Sequence, residues 1–243
     1  MFNRRFFDSV RHRLINVMSP SLHSSTSAKS GPKDGLVVFI DYQNFYFFLK
    51  TAFEINPRQV HLPNLIADLA AENGHQVSEI LLFTGVPDEA RDSLGANIIQ
   101  RRMAFFRHCG IKVFTAPMAY IRDRKTGKTR AVERGVDVML ASELIKRVNA
   151  GASKILLISH DKAFSQSVRI AADVSMGNGK VLEALSIIPE GLDFEVLRDR
   201  GIGVEGVDFT RRIGISQEML ARHISEKEPK DQADSFVATE TAG

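Results

Sequence analysis

The chain has 243 residues, of which 44% are hydrophobic and 25% charged. That composition excludes wholesale disorder and any collagen-like repeat, and no apolar run approaches the roughly 20 residues that a membrane-spanning helix needs. A single cysteine, Cys109, excludes an internal disulfide and a cysteine-built zinc site, and a net charge of +3 leans only mildly toward anionic partners.

The charge is uneven along the chain. Residues 1–35 hold six basic and two acidic side chains. Within residues 1–18, Phe6, Val10, Leu14 and Met18 recur every four positions among Arg4, Arg5, Arg11 and Arg13. This is the pattern of a basic amphipathic helix. Three fates fit it: docking on a partner, lying on a membrane surface, or serving as an Arg-rich, acid-poor transit peptide. A cytoplasmic location is expected, with an organellar one as the alternative if the segment is a transit peptide. Residues 19–35 are small and polar and read as a flexible linker. Residues 216–243 hold three basic and six acidic side chains and read as a largely disordered acidic tail. The domain is therefore expected over 36–215.

Leu36–Ile40 is an unbroken apolar run ending at Asp41, as in a strand buried on both faces. Gln43–Phe53 has helical spacing, and Pro63 suits the first turn of a second helix. Val77–Thr84 reads as a strand ended by Gly85. Asp88–His108 reads as a long helix, with Ile98, Ile99, Met103 and Phe106 inward and Gly110 as its stop. Ile111–Thr115 reads as a strand, and residues 119–131 as a polar hairpin around Gly127. Val136, Leu140, Leu144 and Val148 mark the next helix. Lys154–Ser159 is a strand and Ala163–Ala172 a helix. Lys180–Ile188 and Gly203–Phe209 are further strands. Strands alternating with helices predict an α/β fold with a mostly parallel central sheet and helices on both faces.

In open sheets of this kind the functional crevice lies outside the carboxyl ends of the strands. Asp41 and Asp161 fall at or just past strand ends, and Asp137 lies near a helix start. Carboxylates gathered there would repel one another without a cation. A hard divalent ion such as Mg²⁺ or Mn²⁺ takes oxygen ligands and can promote phosphodiester cleavage. Asn44, one turn beyond Asp41, could add a neutral oxygen. A strand-end aspartate also serves simply as a helix cap, and patterning does not prove that the three acids converge.

The segment Phe39–Leu49 (FIDYQNFYFFL) resembles the opening strand and helix of NYN-domain (LabA-like) proteins, a branch of the PIN-like nuclease superfamily. Arg134–Ile145 (RGVDVMLASELI) is similar to that family's K-G-V-D-V-x-L-A-x-D segment, and Leu156–Phe164 (LLISHDKAF) to its L-x-S-G-D-x-D-F segment. The order and spacing agree over roughly residues 36–210. The resemblance implies a PIN-like Rossmannoid three-layer sandwich that cleaves RNA through an acidic Mg²⁺ or Mn²⁺ site. Asp41, Asp137 and Asp161 carry over as metal-binding acids, with Asn44 as their polar neighbour. Glu143 stands where the family has Asp. However, six residues along a helix rotate it by about 240° from Asp137, so a solvated helix residue is the competing reading. Ala163 and His160 depart from the pattern, replacing an Asp and a Gly.

Basic residues that could hold phosphates are Arg122, Arg124, Lys125, Lys128, Arg130 and Arg134 in the hairpin, with Arg101, Arg102 and Arg107 on the long helix. Asp123 and Glu133 are the acids that could instead pair with the hairpin cations. Tyr42 and Tyr46 could stack a base. The leading expectation is a metal-dependent RNA endonuclease. The alternative, favoured by Ala163, is a catalytically weakened PIN-like module that binds RNA or protein. Homo-oligomerisation is left open. A dinucleotide enzyme is disfavoured because DYQNFY, not a glycine-rich loop, follows the first strand.

Overall fold

The computed structural model describes residues 35–192, 195–196 and 211–225. The expected N-terminal helix, nearly all of the linker, the strand at Gly203–Phe209 and the tail beyond 225 lie outside them. In chain order the elements are β1 (Leu36–Asp41), α1 (Tyr42–Phe53), α2 (Leu62–Glu72), β2 (Val77–Val86), α3 (Ser93–His108), β3 (Lys112–Pro117), β4 (Ala119–Arg122) and β5 (Thr129–Val132). Then follow α4 (Val136–Asn149), β6 (Lys154–Ile158), α5 (Phe164–Gly177), β7 (Glu183–Pro189), β8 (Arg211–Ile215) and α6 (Gln217–Ala221). The last helix carries the fold past 215: Met219 and Leu220 are buried in the core.

Six strands form one sheet in the order β3-β2-β1-β6-β7-β8, and every neighbouring pair is parallel. The chain steps outward from β1 to β2 and β3. It then returns to place β6 on the other side of β1 and steps away through β7 to β8. Parallel crossovers are right-handed, so reversing the direction of travel moves the connecting helices to the other face. The packing agrees. Val38, Ile40, Leu82, Leu156 and Ile158 meet α1, α2, α3 and α6 on one face. Val37, Phe39, Leu81, Phe83, Ile155 and Leu157 meet α4 and α5 on the other. This is a three-layer α/β sandwich.

The period of two inside LVVFI thus feeds two cores at once, which is why the run is continuous. Phe39 and Phe83 are fully buried, and each contributes about 2 kcal/mol by leaving water. In β2 the structure departs from the sequence expectation: Gly85 does not end the strand, which continues to Val86 and pairs Gly85 with Ala116. Helix α3 begins at Ser93 rather than at Asp88, because Asp92 caps it, its Oδ1 accepting the Gly95 N–H at 2.8 Å.

Candidate functional site

The direction of travel reverses between β1 and β6. The carboxyl ends of those two strands therefore frame the crevice in which doubly wound sheets bind ligands. Ile40 and Ile158 are register partners, so the next residues, Asp41 and Ser159, emerge side by side. Ser159 Oγ donates to Asp41 Oδ2 at 3.3 Å. The Asp161 N–H donates to Ser159 Oγ at 3.2 Å, and Asp161 Oδ1 accepts the Ala163 N–H at 2.8 Å. Asp41 is also the cap of α1, its Oδ1 accepting the Asn44 N–H at 3.1 Å. The capping role is real, but it occupies only one lone pair of one oxygen.

Burial pushes the Asp41 carboxyl up to about 6, and the charges of Asp161 and Asp137 add to the rise. The hydrogen bonds from Asn44 and Ser159 offset only part of it. The three expected acids are therefore electrostatic neighbours. Asp137 and Asp161 are exposed at the rim, while Asp41 sits deeper. Asp137 lies in the first turn of α4, which starts at Gly135 (φ 79°) without a side-chain cap.

A fourth acid joins them. Glu133, at the exit of the β4–β5 hairpin, does not pair with the hairpin cations. It crosses to β2, where its Oε1 accepts from the Gly85 N–H and, at 3.3 Å, from Thr84 Oγ1. Burial pushes its carboxyl up to about 7, and the charge of Asp41 contributes. A Cβ at position 85 would stand 2.7 Å from Glu133 Cγ. Only glycine allows this approach, which is the reason for a glycine within β2. The signal in the sequence is an unexplained glycine late in an apolar strand.

Other expected residues are placed differently. The Asn44 side-chain oxygen accepts the His160 N–H at 2.9 Å. It thereby ties the turn after β1 to the turn after β6, and Asn44 positions the crevice rather than offering a free oxygen. His160 stacks on Phe48 with ring centroids 4.5 Å apart, and its Nε2 lies 3.2 Å from the Ile187 carbonyl. Burial lowers its pKa to about 4, so it is a neutral, packed side chain. Glu143 is bound to Lys146 at 3.0 Å and Arg147 at 2.9 Å on another side of α4. Its rotation away from Asp137 keeps it out of the acidic group. Tyr42 is buried edge-on to Phe106 and offers no stacking surface.

Arg102 is also committed to the fold. Its Nη1 and Nη2 donate to the carbonyls of Arg58 (3.0 Å) and Pro57 (2.8 Å), and its guanidinium lies over Phe106. Arg101 is exposed on α3, away from that clamp. Arg122, Arg124, Lys125, Lys128, Arg130 and Arg134 are all exposed. Asp123 Oδ1 takes the backbone N–H groups of Lys125 (2.7 Å) and Thr126 (2.9 Å) and so shapes the turn. The hairpin leaves β3 at its carboxyl end and returns through Glu133 to α4. Its cations therefore stand at the same edge of the sheet as the acids.

Among the described residues, no group of three or more His, Cys, Asp or Glu side chains is gathered tightly enough to hold a metal ion. The acids at this edge, Asp41, Glu133, Asp137 and Asp161, offer only oxygen, the donor type that Mg²⁺ and Mn²⁺ take. The raised carboxyls of Asp41 and Glu133 mark a place where added positive charge would be favourable. No family model matches the chain, and no curated protein matches it. Among solved structures it is similar to a protein of unknown function from Vibrio parahaemolyticus, at 16% identity over 78% of this chain and 96% of that one, with a TM-score of 0.46.

Proposed function

We propose that this chain is a metal-dependent ribonuclease that cleaves RNA phosphodiester bonds at the β1/β6 crevice. The observation that carries the reading is the pair of buried carboxyls at that point of the sheet, Asp41 and Glu133, both raised by burial and by neighbouring acidic charge, with Asp137 and Asp161 acting on Asp41. Structural carboxylates acquire cationic partners. Buried carboxyls with raised pKa values and no cationic partner mark functional sites more often. The likeness of FIDYQNFYFFL, RGVDVMLASELI and LLISHDKAF to NYN-domain nucleases supports it.

Asp41, Asp137 and Asp161 would hold Mg²⁺ or Mn²⁺. The ion would neutralise charge on the scissile phosphate and ease deprotonation of an attacking water. The chain's own groups do the rest. Ser159 and Asn44 fix the Asp41 carboxyl and the two turns that carry it. Glu133, with a pKa of about 7, can take or give a proton near neutral pH. Helix α4 begins at this edge without a side-chain cap, so the N–H groups of its first turn favour a phosphate. The hairpin cations would hold the flanking backbone.

The test is cleavage of labelled single-stranded RNA with Mn²⁺, with Mg²⁺ and with chelator, beside Asp137→Asn. Metal-dependent cutting lost in the variant is the expected result. A second reading is a PIN-like module that binds RNA or protein without cutting. It is favoured by Ala163, which supplies no carboxylate at its own position, and by the looseness of the acidic group. RNA binding with no metal-dependent turnover would select it.

A further inference from the structure

Beside the acidic crevice lies a cleft of about 390 Å³ between α3 and the carboxyl ends of β2 and β3. We propose that it is a nucleobase subsite, receiving one unstacked base of the RNA strand whose backbone lies on the hairpin and in the crevice. The inference rests on the RNA reading above and names a second recognition element for it.

Its size falls in the range of small-ligand pockets, about 300–1,000 Å³. Its walls include Val86, Pro87, Met103 and Met118, which present apolar surface for a flat ring. Methionine sulfur packs well against aromatic faces. Gln100 and Arg107 also line it, and with Met103 they form one stripe of α3 at spacings of three and four. Neither the Gln100 nor the Arg107 side chain has a hydrogen-bond or ion-pair partner among the described residues. The Gln100 amide offers both a donor and an acceptor to a base edge, and Arg107 offers donors to a base or its phosphate.

Position ties the cleft to the proposed chemistry. Met118 lies against Gly85: a Cβ there would meet Met118 Cγ at 3.0 Å and Glu133 Cγ at 2.7 Å. Met118 and Glu133 therefore both pack against Gly85, which brings a wall of the cleft next to the buried acid. The rim is also fastened to the basic hairpin. The Asp88 N–H donates to Tyr120 Oη at 2.9 Å, and the Arg91 guanidinium lies 4.7 Å from the centre of the Tyr120 ring. A strand held by the hairpin and entering the crevice therefore passes the mouth of the cleft. Such a strand can turn one base into it, as single-strand binders commonly do.

The experiment measures affinity by fluorescence anisotropy, in chelator so that no cutting intervenes. The probe is a labelled single-stranded RNA decamer, with a set of decamers each lacking the base at one position. The full chain is compared with Gln100→Ala/Arg107→Ala and, independently, with Met118→Trp, which fills the cleft. The expected result is that one abasic position costs the wild type about tenfold in affinity. Both variants should lose about as much on intact RNA and be indifferent to that abasic position. If RNA binds but no single abasic position matters, or if the variants lose equally on every probe, the cleft holds no base. Failure of the wild type to bind any decamer overturns the RNA reading itself, which is a separate outcome.

Discussion

Glu79 on β2 and Asp41 on β1 border the same sheet, each partly shielded from water, and their carboxyls are shifted in opposite directions. For Glu79, burial works to raise the pKa. Hydrogen bonds and charges from Arg147 and Lys112 outweigh it and hold the group below its ordinary value. Arg147 grips it with two bonds, Nε at 2.6 Å and Nη2 at 3.2 Å, and Lys112 pairs with it as well. Glu143 joins the same network through Arg147. Around Asp41, among the described residues, no cation offsets burial, which raises the pKa to about 6, and the charges of Asp161 and Asp137 add to the rise. A sheet that needed only stability would place a cation beside Asp41, as it does beside Glu79. The contrast separates a carboxylate that serves the fold from carboxylates that the fold tolerates for another purpose.

Four measurements bear on that contrast. The largest difference should be catalytic: Asp41→Asn should lower the RNA cleavage rate by at least about 100-fold, while Glu79→Gln leaves it nearly unchanged. Equal losses in the two variants would erase the distinction. Next, Arg124→Glu, Lys125→Glu and Lys128→Glu combined should weaken RNA binding by about tenfold or more. The slope of affinity against salt should become shallower by about 0.7 for each phosphate no longer neutralised. An unchanged slope would remove the hairpin from the interface.

The third concerns stability. The folded pKa of Asp41 lies above its ordinary value, so the native state holds the proton more tightly than the unfolded chain. Stability is then greatest below about pH 4 as far as this group is concerned, and falls as pH rises through about 6. Asp41→Asn keeps a capping side chain and removes the charge. It should stabilise the protein by about 1–3 kcal/mol at pH 8 and by little at pH 4, read from urea unfolding. Millimolar Mg²⁺ at a few times its Kd should add about 1 kcal/mol to the wild type at pH 8 and far less to Asp41→Asn.

The smallest effect should come from the paired side. Glu79 has a lowered pKa, so its contribution is present above the ordinary glutamate value and is lost as pH falls through the folded one. Glu79→Gln should cost about 1 kcal/mol at pH 7, partly screened because Lys112 is exposed. That cost should fade in acid.

These outcomes also bear on how much can be read from residues alone. The fold is legible because its strands are apolar runs and its helices repeat at three and four, as with Leu140, Leu144 and Val148. Asp41 and Asp161 are legible because a parallel sheet gathers its strand ends on one edge. Helical rotation already sets Glu143 apart from Asp137, leaving a site role and a solvated position as the two readings. The rest depends on contacts between distant parts of the chain. Arg102 looks like any surface arginine until the carbonyls of Pro57 and Arg58, 45 and 44 residues away, arrive beneath it. Tyr42 follows the key aspartate and so looks accessible, yet the first turn of α1 carries it into the core. Glu133 looks like a partner for nearby lysines, and only the three-dimensional path of the hairpin brings it to Gly85.

The pairing of β1 with β6 has a further consequence. Val37 through Ile40 meet Ile155 through Ile158, so the two walls of the crevice are separated by 118 residues of chain at Asp41 and Ser159. Pairings of such long range are slow to form and come after local ones. During synthesis, β1, β2 and β3 are made well before β6, and without β6 there is no second wall. A chain released or stalled before residue 158 could assemble half a sheet with Asp41 at its exposed edge and no crevice at all. The architecture thus builds in a delay: whatever the acidic crevice does, it cannot begin until most of the protein has been made and folded.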